Sequence, residues 1–400
     1  MTKEREGTRN IKVSDLFVKC LKNEGVKYVF GLPGEEIEDL LFSLEQSSIQ
    51  FIPTRHEQGA AFMADVWGRL TGKAGVCLAT LGPGATNLVT GVADANLDKS
   101  PVVAITGQAG VQRVHKENHQ YLDIVSLFRP ITKWNATIAH PDTVPVDFTS
   151  AEVYAHYQPA VEIVADIATT LRELNRMFAE ECRTFDFWYT PVRDQILRDF
   201  ASYTLKPRQR FTVPGTLNIL RAVMADEDLL ISDVGSHKLW IARNFPVNAP
   251  NCCLISNGLA SMGFALPGAV AASLCSPGRK IVAAMGDGGF LMNSQELETA
   301  KRAGAVFTVL LFTDNDYGLI SWKQKMSHKR TAGTRITNPD FQIYARSFGI
   351  KSFAPKNPEE LSRDLKKALS SGELCFVEVP VETSVNFRLT GKSASTKGKG

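Results

Sequence analysis

The sequence contains no run of about 18 apolar residues, so nothing in it reads as a membrane-spanning helix. Neither sign of charge dominates: 45 basic residues face 42 acidic ones, a net charge of +3. That balance gives no electrostatic ground for a nucleic-acid or membrane-surface partner. Cysteine is sparse and unpatterned. Cys20, Cys77, Cys182, Cys252, Cys253, Cys275 and Cys375 form neither an even disulfide framework nor a metal-ligand spacing. Cys77 and Cys375 stand in apolar, strand-like runs and read as buried thiols, so a reduced, cytoplasmic protein is expected. Residues Met1 to Asn10 are polar and charged, without the apolar centre of a signal peptide. No Gly-x-Gly-x-x-Gly follows an early strand, which removes support for a generic NAD-dependent enzyme.

What is present is enough apolar material for more than one core. With 400 residues at 44% hydrophobic content, two α/β domains are expected rather than one. Two stretches alternate strand and helix signals, the mark of parallel, doubly wound sheets. In the first, from about 11 to 135, Val13, Leu16, Phe17, Cys20 and Leu21 recur at helical spacing until Gly25. Strands are expected at 28–30, 51–53, 76–80 and 102–106, with helices at 36–44 and 56–70. In the second, from about 213 to 382, strands are expected at 229–232, 280–285, 306–312 and 375–379, and helices at 295–302 and 358–369. Between them, residues 140 to 210 show one clear helix, near 167–178, and an aromatic, charged run from Phe185 to Tyr189. The basic tail from Lys392 to Lys399 reads as disordered.

The sharpest chemical signal is Gly286-Asp287-Gly288-Gly289-Phe290, followed one βαβ unit later by Thr313-Asp314-Asn315-Asp316. Asp287 leaves the carboxyl end of one strand, and a crossover of the usual hand brings Asp314 out at the same sheet edge. Ligands of such sheets bind just beyond that edge. Paired carboxylates there suit a hard cation with oxygen ligands, and the glycines let backbone N–H groups approach a phosphate. Alone, Gly-Asp-Gly is a common turn; the second acidic cluster at the right distance makes magnesium bridging to a diphosphate the natural reading.

With both clusters, the segment resembles the thiamine-diphosphate fingerprint. The run from Gly286 to Ala300 is similar to the acetolactate synthase large-chain family, although Asp314 stands where many relatives carry Asn. Arg55-His56-Glu57-Gln58-Gly59-Ala60 resembles the family segment that carries the catalytic glutamate; without that context, Glu57 is an acid favoured at a helix N-terminus. The resemblance implies two thiamine-diphosphate-binding α/β domains: a pyrimidine-binding domain at 11–139 and a diphosphate- and magnesium-binding domain at 213–386. A linker with a remnant of a middle domain would occupy 140–212, and a disordered tail 387–400. It assigns Glu57 and Gln120 as catalytic, and Asp287, Asp314 and the carbonyl of Asp316 as metal ligands. Cofactor contacts are expected from Pro33, Gly34, Gly82 and Asn87 in the first domain. In the second they are expected from Val234, Gly235, Ser236, His237, Gly258, Met262, Gly286, Gly288, Gly289, Tyr317 and Gly318.

The activity implied is decarboxylation of pyruvate and transfer of the two-carbon unit to a second 2-keto acid, in a homodimer or tetramer, without nucleic acid or membrane. In relatives a third domain separates the two blocks; here the pattern breaks near Pro145 and resumes near Val146, leaving out roughly 150 residues, about one domain. A flavin, which some relatives hold largely through that domain, is not expected. Two other readings stand beside this one: a different thiamine-diphosphate 2-keto acid decarboxylase, and an inactive or regulatory chain that pairs with a longer homologue. Against the first, decarboxylases of the pyruvate decarboxylase type carry an adjacent histidine pair, and no His-His occurs here.

Overall fold

The computed structural model describes residues 11–110, 119–138, 167–178 and 189–390. Two parallel sheets organise it. In chain order the first block runs α1 (Val13–Asn23), β1 (Tyr28–Gly31), α2 (Glu38–Glu45), β2 (Gln50–Pro53), α3 (Glu57–Thr71), β3 (Gly75–Ala79), α4 (Pro83–Leu97), β4 (Val102–Thr106) and α5 (Ile124–Phe128). Its four strands lie in the order β2-β1-β3-β4, all parallel. The helices α6 (Ile167–Phe178) and α7 (Thr190–Ala201) follow.

The second block runs α8 (Val213–Val223), β5 (Leu229–Ser232), α9 (Ser236–Asn244), β6 (Cys253–Ile255), α10 (Ala265–Cys275), β7 (Ile281–Gly286), α11 (Asp287–Asn293), α12 (Glu296–Arg302) and β8 (Thr308–Thr313). It ends with α13 (Gly318–His328), α14 (Phe341–Ser347), β9 (Lys351–Phe353), α15 (Pro358–Ser370) and β10 (Cys375–Pro380). Its six strands are parallel in the order β6-β5-β7-β8-β10-β9. The doubly wound architecture read from the sequence is therefore present twice.

Local chemistry sets the element ends. Thr212 caps α8 by accepting from the Gly215 N–H at 3.2 Å, ahead of Pro214 in the first turn. Asn357 caps α15 in the same way through the Glu360 N–H, with Pro358 first in the helix. Central strands β3 and β8 are buried at every position, as strands covered on both faces must be. Cys77 and Cys375 lie buried in β3 and β10, as their apolar surroundings suggested.

The cores do not divide cleanly by domain. The largest apolar cluster joins Phe30, Phe62 and Leu88 of the first block to Phe264, Leu266, Phe290 and Phe376 of the second. Its centre is the packing of α3 on α10, two helices rich in alanine and glycine along buried faces. Small residues let the backbones approach: a Cβ on Gly268 would sit 2.9 Å from Val66. Phe62 meets Phe264 edge to face at 5.5 Å across this contact, a geometry worth about 1 kcal/mol beyond its buried area.

Two features differ from the sequence reading. The helix expected at 36–44 begins as a 3-10 turn, Glu35–Ile37, before α2. Between 140 and 210 there is a second helix, α7, whose Phe200 is buried in the core of the second block. The Phe185 to Tyr189 run lies outside the described residues except for Tyr189, and the basic tail 391–400 lies outside them altogether. No helix among the described residues is long and apolar enough to cross a membrane.

Candidate functional site

In both sheets the strand order reverses direction after the first two strands, and the crevice at such a switch point is where open α/β sheets bind ligands. In the first sheet the switch lies between β1 and β3, in the second between β5 and β7. Nearly every residue singled out from the sequence sits on a loop leaving one of these strands or its neighbours.

Three aspartates leave three adjacent strands of the second sheet: Asp233 after β5, Asp287 after β7 and Asp314 after β8. Asp287 is buried and acts as a hub. Its Oδ2 accepts from the backbone N–H of Asp314 (3.2 Å) and Asn315 (2.9 Å) and from Asn338 Nδ2 (2.7 Å), while Oδ1 accepts from the Gly288 N–H at 2.9 Å. Asp314 Oδ1 accepts from the Asp316 N–H at 3.1 Å. Burial, and next the charge of Asp287, push the Asp314 carboxyl up to about 7.

Around this pair stand the other predicted residues. A Cβ on Gly318 would lie 2.6 Å from Asp314 Oδ2 and 3.6 Å from Ser236 Oγ, so the N-termini of α13 and α9 converge on the Asp314 carboxylate. Gly288 faces the Tyr317 ring and the Met262 methyl group, at 2.7 Å and 3.6 Å from its built Cβ. The His237 ring lies 3.6 Å from a Cβ built on Gly286. Burial lowers His237 to about 4, so its imidazole is neutral near pH 7; its Nε2 has no partner. Asp316 Oδ1 and Asn338 Oδ1 are likewise buried without partners. Orphaned buried polar atoms are rare enough to need a reason. The two oxygens are acceptors beside the Asp287–Asp314 pair and suit a cation, while the N-termini of α9 and α13 are the arrangement that receives phosphate groups.

The residues fit a diphosphate held through a hard cation. Two neighbouring carboxylates, one of them pushed toward its neutral form by burial and by the other's charge, would both ionise beside a divalent cation. Protein groups alone do not complete such a shell: among the described residues no three His, Cys, Asp or Glu side chains converge as a metal cluster. Phosphate oxygens and backbone carbonyls would have to supply the rest.

At the first switch point, Glu57 opens α3 and is buried, and Asn87 Nδ2 donates to its Oε2 at 2.9 Å. A Cβ on Gly84 would come within 3.4 Å of the other Glu57 oxygen. Gly34, after the exposed Pro33, lies against Thr80. Gly82 has φ +54° and lies against the backbone of Gln120, itself left-handed at φ +56° and exposed. The loops carrying Pro33–Gly34, Gly82–Asn87 and Gln120 are thus brought to one edge with Glu57.

The two half-sites are linked, though no direct contact joins Glu57 to the aspartates. Glu296, at the start of α12, accepts from the N–H groups of Arg55 (3.1 Å) and His56 (3.0 Å), immediately before Glu57. Gly258 stands apart from the Asp287 group, against Leu97 at the end of α4.

Sequence reasoning passed over Asp233, Asn293, Glu296 and Asn338. The Asp233 carboxylate accepts from the N–H groups of Val234, Gly263 and Ala265 at 2.7 to 3.2 Å, and burial pushes it up to about 6. Asn293 Nδ2 donates to the Gly263 carbonyl at 2.9 Å, so both residues shape the turn that presents Met262. The strand-end rule that found Asp287 and Asp314 would also have found Asp233. Asn293, Glu296 and Asn338 carry no comparable signal.

Comparison with known proteins agrees with this geometry. Residues 11–127 match the family described as thiamine pyrophosphate enzyme, N-terminal TPP binding domain, and residues 233–379 match its C-terminal TPP binding domain. Together these cover more than half of the chain. The chain is similar to the acetolactate synthase of Bacillus subtilis (strain 168), 26% identical over 554 aligned positions that take in 97% of this chain and 96% of that protein. It is 28% identical over 570 positions to the catabolic acetolactate synthase of Raoultella terrigena, covering 98% and 99% of the two chains. With the acetolactate synthase isozyme 1 large subunit of Escherichia coli (strain K12) it shares 24% over 529 positions, covering 92% and 94%. The Bacillus alignment of 554 positions exceeds the 400 residues here, so at least 154 of its positions face a gap in this chain.

Proposed function

The chain belongs to the thiamine pyrophosphate-dependent acetolactate synthase family, and we propose that it decarboxylates pyruvate and transfers the two-carbon unit to a second 2-keto acid. The observation that carries this reading is the Asp287–Asp314 pair at the second switch point, flanked by the N-termini of α9 and α13. When bound, thiamine diphosphate supplies the carbanion chemistry that a 2-keto acid needs to lose carbon dioxide.

The chain's own groups would hold and orient it. Asp287, Asp314 and the Asp316 carbonyl are the proposed magnesium ligands. The N–H groups opening α9 and α13 would face the diphosphate, and His237, once protonated beside that anion, would be a further donor. Met262 and Tyr317, above Gly288, would form an apolar wall that fixes the cofactor's bend. Glu57 would hydrogen-bond the aminopyrimidine ring, while Asn87 fixes the carboxylate's rotation. Buried as it is, that hydrogen bond is stronger than in water. Gln120, exposed beside Gly82, is the proposed substrate-side amide.

We place the shortening inside 140–212 and propose that the chain works in the cytoplasm as a homodimer or tetramer. The test is direct. Purified protein is incubated with pyruvate, magnesium and thiamine diphosphate, and acetolactate is assayed by acid conversion to acetoin. Product that disappears with Glu57→Gln or without magnesium is the expected result. A folded chain that binds the cofactor yet makes no product overturns the synthase reading.

A further inference from the structure

A buried charge cluster of the first domain, Asp65, Arg69, Asp94 and Asp98, lies outside both half-sites and yet grips the turn that leads to Met262. Arg69 forks onto Asp65 at 2.7 and 2.8 Å, and its Nη2 also reaches Asp98 at 2.7 Å and Asp94 at 3.6 Å. The guanidinium stacks over Phe264 at 5.1 Å, and no side chain of the cluster is more than 13% exposed. One cation among three carboxylates leaves an excess of acceptors. Lys238, next to His237 on α9, adds an attractive charge toward Asp98 and Asp94.

The excess acceptors are used on the other domain. Asp98 accepts from the N–H groups of Asn257 (2.9 Å) and Gly258 (2.5 Å). Asp94 accepts from Ser256 Oγ at 2.7 Å, and Ser256 Oγ in turn accepts from the Ser261 N–H at 3.0 Å. Arg69 Nη1 donates to the Ile255 carbonyl at 3.0 Å. Every residue from 255 to 258 is therefore held by α3 or α4 of the first domain. The approach is close: a Cβ on Gly258 would lie 2.6 Å from the Leu97 Cβ. The turn then passes through Ala260, a non-glycine residue at φ +58°, and its far end is tied by Asp233 and Asn293. A left-handed alanine persists where the flanking contacts impose it.

We infer that Asp98, its carboxylate set by Arg69, is a positioning residue that fixes the 256–262 turn and hence the seat of Met262, so the first domain shapes the cofactor site of the second. This rests on the functional reading above. It gives the excess charge a purpose: the acceptors serve backbone N–H groups in the partner domain, with no ligand or metal of their own.

The test compares the unaltered chain with Asp98→Asn, Arg69→Lys and Gly258→Ala. Gly258→Ala leaves every charge in place and pushes the turn off Leu97, so it serves where Asp98→Asn does not fold. Hydrogen exchange at residues 257–263 is measured first, in the cofactor-free chain. Asp98→Asn and Gly258→Ala are expected to exchange faster there by about tenfold or more, with Arg69→Lys between them and the parent. With magnesium and thiamine diphosphate added, the cofactor's dissociation constant is expected to rise and kcat to fall by about tenfold each, at nearly constant KM for pyruvate. The near-ultraviolet circular dichroism of the bound cofactor is expected to change with them. Folded variants with parental exchange, cofactor affinity and circular dichroism overturn the positioning role. An unaltered chain that binds no thiamine diphosphate overturns the functional reading instead, and the exchange data still decide the fate of the turn.

Discussion

Replacing Glu296 by glutamine separates charge from hydrogen bonding at the link between the half-sites. Its carboxylate is fully buried; Oε1 accepts from the His56 N–H at 3.0 Å and the Arg55 N–H at 3.1 Å, and Oε2 from Thr299 Oγ1 at 2.6 Å. Burial, opposed by these bonds, pushes Glu296 from 4.5 up to about 7. The sign follows from linkage. The folded state holds the proton more tightly than the unfolded one, so this group's contribution is favourable below the unfolded value and is lost as pH rises through the folded one. Between pH 5 and pH 8 the loss comes to about 2.5 kcal/mol. Glutamine keeps an oxygen for both N–H groups and offers its amide to the Thr299 hydroxyl, without a charge to bury. Glu296→Gln is therefore expected to match the parent within about 1 kcal/mol at pH 5 and to exceed it by about 2 kcal/mol at pH 8. Urea denaturation at both pH values, followed by circular dichroism, measures it. Other buried acids titrate in the same window, Asp94 among them at about 7, but they are common to both proteins and cancel. A variant with the parent's pH slope, or one less stable than the parent at pH 8, refutes the assignment of the charge penalty to Glu296. Acetolactate formation should fall by less than about tenfold, because His56 keeps its acceptor and Glu57 its place.

Three further outcomes follow from contacts already described. Phe290 is fully buried among Phe341, Tyr344 and Phe376, with ring centroids at 5.6, 6.0 and 5.4 Å, so Phe290→Ala should cost about 3–5 kcal/mol by urea denaturation. A cost below about 1 kcal/mol would show that this cluster does not support the second sheet. Asp287→Ala strips the acceptor from two backbone N–H groups and Asn338, and should cost about 3 kcal/mol even in the cofactor-free, metal-free protein. Unchanged stability in that state would reduce Asp287 to a metal ligand alone. Trp240→Phe removes the 2.8 Å bond from Nε1 to Asn386 Oδ1, both buried, and should cost about 1–3 kcal/mol by thermal or urea unfolding.

What was legible in the sequence was what nearest-neighbour physics controls. Strands β4 and β5 and helix α6 are found at their expected bounds, because apolar runs and helical periods end at glycine, proline or charge there. The candidate site's edge was legible because strand-end position follows from topology: Asp287 and Asp314 had to emerge together once β7 and β8 were parallel neighbours. Short edge strands left no such trace. β6 and β9 have three residues each, too few to show a period. Helix α7 was missed because its sequence, opening Thr190-Pro191 and rich in charge, lacks a strong apolar face, and only Phe200 is buried. Least legible were the groups that act across the fold. Glu296 meets Arg55 from 241 residues away, and Asp98 meets Asn257 from 159. No local pattern marks a carboxylate whose purpose is another domain's backbone.

These long-range carboxylates also bear on how a shortened chain could keep a working site. Every loop assigned to the cofactor leaves the carboxyl end of a strand at or beside a switch point, and all of those strands are present. Among the described residues the four-stranded sheet ends at β4, where Val103 is 40% exposed, whereas β3 beside it is buried throughout. An outer strand with exposed apolar residues invites pairing with another chain. The switch point between β1 and β3 lies one strand further in, although α3, which Glu57 opens, also packs directly on β4. On its other side Glu57 is braced by the second domain, through Glu296 and through the packing of α3 on α10. Within 140–212 the described helix α7 packs on α8 and α9 of the second block. The contacts that brace Glu57, from Glu296 to Arg55 and His56 and from α3 to α10, are made by residues outside 140–212.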